Sequence, residues 1–183
     1  MKLNELLKNN NVTVQSFPAF KQLESHSNKD ASEITLSTFS PNFVLENTKF
    51  SQTSYFAPVI PRNSRFENAE QIMQADLDVN LVTVEYTDEI TSYDKVIIAS
   101  RHESTVKILK KEFPNSVVLA HVEEIDILGK KVVGTLPPHL ISLTQAYKSV
   151  IIKDFDYNKD GDLKGQELLD RLVISPTVCV TLK

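Results

Sequence analysis

Beyond residue 93, apolar runs alternate regularly with segments of helical spacing. The runs are rich in β-branched residues and carry few polar positions, which is typical of strands buried on both faces of a sheet. The strands that this pattern predicts are DKVIIAS (94–100), SVVLAHV (116–122), KKVVG (130–134), SVIIKDF (149–155) and TVCVTL (177–182).

The segments between these runs predict helices. They are STVKILKKEF (104–113), PPHLISLTQAY (137–147) and GQELLDRL (165–172). The first is followed by Pro114, which ends a helix, and the prolines of the second suit a first helical turn. Strands that alternate with helices predict a mostly parallel sheet. The C-terminal half is therefore predicted to be an α/β, Rossmann-like unit, although no GxGxxG follows its first strand.

The first 92 residues have a less regular pattern, with many Ser, Asn, Thr and Pro between residues 28 and 68. The pattern predicts a helix at 3–8, extended chain at 12–17, a strand at 33–39, irregular chain to 65, a helix at 68–75 and a strand at 81–86. We therefore expect two domains. Residues 1–92 form an α+β accessory region of unknown role, and residues 93–183 form the α/β domain, of which 94–183 is expected to fold alone.

Composition and charge narrow the class of protein. The net charge of −4 argues against a protein that binds duplex nucleic acid through bulk electrostatics. No stretch reaches the roughly 18 apolar residues of a membrane span, and the N-terminal residues lack the apolar core of a signal peptide. Cys179 is the single cysteine, which excludes an internal disulfide and is typical of a reducing cytoplasm. We therefore expect a cytoplasmic protein without a membrane partner.

Polar residues that suit anion binding stand at the ends of the predicted strands. They are Ser100, Arg101 and His102 at the end of the first strand, His121 at the end of the second, and Gly134 and Thr135 at the end of the third. Ligands of open α/β sheets bind at the carboxyl ends of the strands. An arginine there can bind phosphate through its guanidinium group, and a histidine can exchange protons near neutral pH.

Residues 156–167, DYNKDGDLKGQE, allow two interpretations. Asp156, Asn158, Asp160 and Glu167 match calcium-ligand positions of an EF-hand loop, and Gly161 matches its turn position. Asp, Asn and Gly also dominate ordinary turns. We favour a strand-to-helix turn, because the preceding SVII is strand-like and the sequence offers no second loop to pair with. Calcium is the alternative, and otherwise no cofactor is expected.

Three ordered blocks resemble a known family. SRHESTVKIL, AHVEEIDILGKKVVGTLPPHL and LKGQELLDRL are similar to the RH, GTLP and RGxEL motifs of the small type III CRISPR-associated ring nucleases. The resemblance covers about residues 94–183. It implies an enzyme that opens a cyclic oligoadenylate, with cyclic tetra-adenylate as the expected ring, and so switches off an antiviral signal. The motif positions are occupied by Arg101, His102, His121, Thr135, Lys164 and Glu167.

The resemblance implies a metal-independent attack of a ribose 2′-OH on the neighbouring phosphorus. We expect Arg101 and the backbone amides of 134–136 to stabilise phosphoryl charge, and His102, then His121, to transfer protons. The further expected ligand contacts are Ser100, Ser104, Gly134, Thr135, Lys164 and Glu167. A ring of repeated subunits favours a two-fold homodimer. The alternatives are a protein that sequesters the cyclic nucleotide without cleaving it, and a calcium-binding interaction module.

Overall fold

The structure, a computed structural model, describes residues 1–47, 54–61, 64–155 and 163–183. The chain divides into two compact units. The N-terminal unit contains Met1–Val84 together with Thr181–Lys183, and the C-terminal unit contains Glu85–Val180. Both units combine helices with strands.

The N-terminal unit contains helices α1 (Leu3–Asn9), α2 (Pro18–Lys21), α3 (Pro41–Asn47) and α4 (Ala69–Ala75), a 3₁₀ helix (Gln22–His26), strands β1 (Asn11–Gln15), β2 (Glu33–Ser37) and β3 (Ser54–Pro58), and all but the last two residues of β4 (Val79–Tyr86). The first three strands pair in parallel, and β4 is antiparallel to β3. Leucines 3, 6 and 7 of α1 are buried with Val12 and Val14 of β1. These apolar residues form the core of this unit.

The irregular chain predicted up to residue 65 is wrong for two of its segments. Residues 41–47 form α3, and residues 54–58 form β3; residues 48–53 and 62–63 lie outside the described chain. The amide of Phe43 donates to the Ser40 hydroxyl at 3.4 Å, and Pro41 is the first helical residue. Serine followed by proline is a helix-start signal. The sequence therefore contained a signal for α3 that our prediction missed.

The C-terminal unit contains strands β5 (Val96–Ala99), β6 (Ser116–Leu119), β7 (Lys131–Gly134), β8 (Ala146–Ile152), β9 (Leu172–Ile174) and the first three residues of β10 (Val178–Leu182), and helices α5 (Glu103–Glu112), α6 (Glu124–Ile127), α7 (Pro138–Ile141) and α8 (Gly165–Arg171). The strands lie in the order β10-β8-β7-β5-β6, with β9 against β8. The pairs β6–β5, β5–β7 and β7–β8 are parallel, and β9 and β10 are antiparallel to β8. The α/β prediction is confirmed.

The strand order creates a switch point at β5. The chain runs from β5 to β6 on one side and then returns to β7 on the other side. In such sheets the crevice for a ligand opens at the carboxyl ends of the two strands on either side of the reversal. Here those ends are Ala99 of β5 and Gly134 of β7, which are register partners.

One face of this sheet packs against α5. Leu109 and Phe113 are buried there with Ile98 of β5, Val133 of β7 and Ala146 of β8. Neighbouring strand residues point to opposite faces, so Tyr147 lies on the face away from α5. The helix predicted over 137–147 is too long, because α7 ends at Ile141 and Ala146 already begins β8. The first four residues of β8 are all buried although Lys148 and Ser149 are polar, so the sequence shows no strand-like alternation at the start of β8.

The boundary between the units also differs in position from the predicted 92/93 division. The segment Glu85–Ser92 belongs to the C-terminal unit. Glu89 explains why, because its carboxylate accepts a hydrogen bond from the buried Lys148 ammonium and two more from the amide and hydroxyl of Thr177, each at 3.1 Å. The last residue belongs to the N-terminal unit, since Lys183 and Leu81 exchange backbone hydrogen bonds of 2.9 and 3.0 Å.

No helix of the described chain is long and apolar enough to cross a membrane.

Candidate functional site

The carboxyl ends of three adjacent strands meet at one edge of the C-terminal sheet. Leu119 of β6 and Gly134 of β7 are both register partners of Ala99 in β5. Backbone hydrogen bonds continue this alignment one residue further. The amide of Ser100 donates to Leu119 at 3.3 Å, and the amide of Thr135 donates to Ala99 at 3.1 Å. The residues that directly follow these three strands therefore lie at the same edge of the sheet.

The connection from β5 to α5 places Ser100, Arg101 and His102 on this edge. Arg101 and His102 are exposed, and Ser100 is half-buried. The amide of His102 donates to the Ser100 hydroxyl at 3.3 Å, which holds the connection in a tight bend. Helix α5 starts at the next residue, Glu103, with His102 as its N-cap in extended conformation. The predicted Arg-His pair thus lies at a strand end and at a helix start together.

The first turn of α5 adds backbone donors to this edge. The amide of Val106 bonds the carbonyl of His102 at 3.0 Å and closes the first helical turn. The amides of Ser104 and Thr105 come before this bond and point toward the N-terminal end of the helix. The helix dipole also favours negative charge at this end. The start of α5 can therefore contribute hydrogen bonds and a favourable potential to an anion next to Arg101.

His121 belongs to the same edge. It is exposed and follows the end of β6 by two residues, and β6 is the direct neighbour of β5. Arg101 and His121 each follow the end of a strand by two residues, and those strand ends are register partners. The sheet therefore brings together two residues that are 20 positions apart in sequence. The structure thus groups the two histidines proposed for proton transfer at adjacent strand ends.

The turn after β7 forms the other side of the switch point. Gly134 is buried against β5, while the Thr135 side chain is exposed. The amide of Thr135 donates to the Ala99 carbonyl, and the amide of Leu136 donates to the Tyr147 hydroxyl at 3.1 Å. Both amides therefore bond within the protein. The expectation that these two amides bind phosphoryl oxygens is wrong for this conformation, and Thr135 can contribute its hydroxyl instead.

Tyr147 is a residue of this region for which the sequence favours core packing over a contact with a ligand. Its side chain is fully buried, and its hydroxyl donates to the carbonyl of Gly134 at 2.6 Å. Burial raises the pKa of Tyr147 to about 12, so the phenol keeps its proton at physiological pH. A tyrosine in an apolar strand gives no sequence signal beyond core packing, because its partners are distant backbone atoms.

An acidic residue beside the Arg-His pair is balanced locally. Glu103 follows His102 directly, and its carboxylate forms an ion pair of 2.7 Å with Lys107 one turn later in α5. Both side chains are exposed. The negative charge that the sequence places next to Arg101 is therefore matched by a lysine on the same helix.

The structure places the remaining predicted ligand residues on α8. Lys164 is the exposed N-cap of this helix, and Glu167 forms an ion pair of 3.2 Å with Arg171. Arg171 in turn donates to the carbonyls of Lys153 at 2.9 Å and Asp154 at 2.6 Å. These contacts fasten α8 to the chain that follows β8. They do not join Glu167 to the residues at the ends of β5 and β7.

The calcium interpretation depends on residues that mostly lie outside the described chain. Asp156, Asn158 and Asp160 belong to that segment, and Glu167 is described. The segment before the loop is strand β8 rather than the entering helix of an EF-hand. Among residues that the structure describes, no group of three or more His, Cys, Asp or Glu side chains is placed to hold a metal ion.

Comparison of the chain with protein-family models, curated proteins and solved structures gives no match. The fold and strand-edge residues of the chain define an α/β protein with a candidate anion-binding site at the switch point of its C-terminal sheet.

Proposed function

We propose that this protein is a ring nuclease that binds a cyclic oligoadenylate, with cyclic tetra-adenylate as the ring, and cleaves it without a metal ion. The observation that carries this proposal is the grouping of Arg101, His102, His121 and Thr135 at the ends of three adjacent parallel strands. The resemblance of the surrounding motifs to the ring nucleases of type III CRISPR systems supplies the substrate class.

Phosphate binding is supported by the charges and donors of this edge. Arg101 is exposed and carries a fixed positive charge, and its planar guanidinium can bond two phosphoryl oxygens together. The first-turn amides of α5 lie on the same connection and can bond a second oxygen. The Thr135 hydroxyl reaches the edge from the neighbouring strand. These groups replace the amides of 135 and 136 as the proposed stabilisers of phosphoryl charge.

Cleavage requires a proton acceptor for the ribose 2′-OH and a proton donor for the departing 5′-oxygen. The new bond joins the 2′-oxygen to phosphorus, the bond from phosphorus to the 5′-oxygen breaks, and the product carries a 2′,3′-cyclic phosphate. In this proposal His102, adjacent to Arg101, accepts the proton of the 2′-OH and delivers a proton to the departing 5′-oxygen, and His121 on the neighbouring strand is the second candidate for this role. Alignment of the attacking oxygen with the leaving oxygen is the other contribution of the site.

The proposal includes the place and assembly of the protein. A cyclic ligand with repeated adenylates presents equivalent phosphates, and two copies of the site related by a two-fold axis would match them. We therefore propose a homodimer. We also propose that it acts in the cytoplasm, where a single unpaired cysteine, Cys179, stays reduced.

Sequestration of the ring without cleavage is the second candidate. It is favoured by the exposure of the grouped residues, because Arg101, the start of α5 and Thr135 suffice to bind an anion on an open edge. In that case the histidines would contribute binding only. The two candidates share one ligand and differ in whether the phosphodiester is broken.

The deciding experiment incubates the protein with cyclic tetra-adenylate, with EDTA or with calcium, and resolves products by chromatography. We expect linear products ending in 2′,3′-cyclic phosphate under both conditions. Tight binding without products would support sequestration, and activity only with calcium would overturn the metal-independent scheme. Absence of both binding and products would overturn the proposed function.

The matched variants for this experiment are Arg101→Ala and Lys130→Ala. Each removes one exposed positive charge, but Lys130 precedes β7 and therefore lies at the opposite end of that strand. Arg101→Ala loses a charge-assisted contact of about 1.5–3 kcal/mol, so this variant should bind cyclic tetra-adenylate roughly 10–150-fold more weakly than the wild type. Equal effects of the two variants would show that only net charge matters.

A further inference from the structure

We propose that Tyr147 is a positioning residue for the proposed reaction, because its hydroxyl fixes the turn that presents Thr135 to the edge of β5. This inference rests on the proposed function, since it assigns a role within that site. Tyr147 itself is buried and contacts no ligand; it acts through the backbone on both sides of Thr135.

The hydrogen bonds of the phenol bracket Thr135. The hydroxyl donates to the carbonyl of Gly134 at 2.6 Å and accepts from the amide of Leu136 at 3.1 Å. The side chain of Ser149, also on β8, hydrogen-bonds the same phenol. One buried group therefore fixes the residue before Thr135 and the residue after it.

The opposite side of the turn is fixed by β5. The amide of Thr135 donates to the Ala99 carbonyl at 3.1 Å, and Gly134 is packed directly on Ala99. The turn is thus held between β5 and Tyr147 of β8. Its exposed Thr135 side chain is the part left to face a ligand next to Ser100 and Arg101.

The contacts concern the hydroxyl rather than the ring. A phenylalanine at this position would fill nearly the same volume but would leave the Leu136 amide and the Gly134 carbonyl without this partner. Burial raises the pKa of Tyr147 to about 12, so the hydroxyl keeps its donated hydrogen bond throughout the neutral pH range. The pH profile of cleavage should therefore keep its shape when the hydroxyl is removed, while its height falls.

The test compares Tyr147→Phe with Tyr55→Phe. Tyr55 is a buried strand tyrosine of the N-terminal unit, so the same hydroxyl is removed far from the proposed site in sequence and outside its unit. Hydrogen exchange of the Leu136 amide, followed by NMR, should accelerate about tenfold in Tyr147→Phe only. Single-turnover cleavage of cyclic tetra-adenylate should fall about 10–100-fold, with less than about threefold change in Kd.

The outcomes separate the inference from the proposed function. A wild-type protein that neither binds nor cleaves the ring overturns the proposed function, and the positioning role falls with it. A cleaving wild type with unchanged cleavage in Tyr147→Phe overturns the positioning role alone. If Tyr147→Phe does not fold, Ser149→Ala is measured in its place, with a smaller loss of cleavage expected and an unchanged Leu136 amide counting against the inference.

Discussion

Gly134 packs so closely on Ala99 that a Cβ atom at position 134 would stand 2.2 Å from the Ala99 carbonyl oxygen and 2.8 Å from its carbonyl carbon. The backbone of Gly134 also has a φ of +147°, which side chains of L-residues rarely adopt. Glycine is therefore required here for two reasons. Because glycine has no side chain, the end of β7 can pack directly against β5. This close contact sets the position of Thr135, the first residue after β7.

We expect Gly134→Ala to destabilise the protein by more than about 2 kcal/mol, because overpacking and backbone strain each cost about 1–3 kcal/mol. Urea unfolding measures the change. The control is Gly129→Ala, since Gly129 has a φ of +64° but nothing within 4 Å of the added Cβ. A loss no larger than that of the control would contradict the close contact with Ala99.

The ion pair of Glu89 with Lys148 gives a pH-dependent prediction. The Lys148 side chain is only 11% exposed, and its ammonium also donates to the Ser175 carbonyl at 3.4 Å. The hydrogen bond from Lys148, followed by those from Thr177, lowers the pKa of Glu89. A carboxyl whose pKa is lowered on folding stabilises the protein above its unfolded pKa, and this stabilisation is lost as the pH falls through the folded pKa.

We therefore expect Glu89→Gln to lose about 1–2 kcal/mol of stability at pH 7, where it leaves Lys148 with a weaker acceptor. The difference from wild type should shrink as the pH falls through the lowered folded pKa of Glu89, because both proteins then carry a neutral group at position 89. Urea unfolding at pH 7 and pH 3 measures it. Glu103→Gln, which alters an exposed pair, should change stability by less than about 0.5 kcal/mol. A constant difference at both pH values would contradict the ion pair.

The position of Glu89 also changes the expected boundary of an independent C-terminal domain. A fragment of residues 94–183 lacks Glu89 and Ile90, which is buried in the core with Val96 and Phe113. We expect this fragment to be less stable than residues 85–183 by about 3–5 kcal/mol, from lost apolar burial and an unpaired buried lysine. Circular dichroism during thermal unfolding compares the two fragments. Equal melting temperatures of the two fragments would show that the C-terminal domain begins near residue 93, as the sequence predicted.

The sequence predicted the C-terminal fold well because its signals are local. The apolar runs around Val96, Val132 and Ile151 mark buried strands, and the polar residues after two of them mark the strand ends. The pairings that complete the site are not local. The phenol of Tyr147 bonds the turn at 134–136, and Lys148 bonds Glu89, which lies 59 residues earlier. Strand order decides such contacts, and no short pattern encodes it.

The proposed role of His102 predicts a larger effect on cleavage than on binding. His102→Ala should lower single-turnover cleavage of cyclic tetra-adenylate by about 10²–10⁴-fold, because the proton of the 2′-OH loses its acceptor. His26→Ala is the control, since His26 is exposed in the 3₁₀ helix of the N-terminal unit. Full activity of His102→Ala would assign the proton transfer to His121. Full activity of both His102→Ala and His121→Ala would contradict proton transfer by a histidine.

Residues 156–167 give a prediction about calcium. The strand β8 stands where an EF-hand has its entering helix, and the Glu167 carboxylate is 3.2 Å from the Arg171 guanidinium. Calcium would have to compete with that arginine for the ligand that closes the loop. We therefore expect isothermal titration of the metal-free protein to show weak calcium binding or none, and cleavage to survive chelation.

Arg171→Gln should then strengthen any calcium binding, whereas Glu167→Gln should abolish it. A one-to-one site of micromolar affinity in the wild type, lost in Glu167→Gln, would overturn the turn interpretation and make Asp156, Asn158 and Asp160 metal ligands.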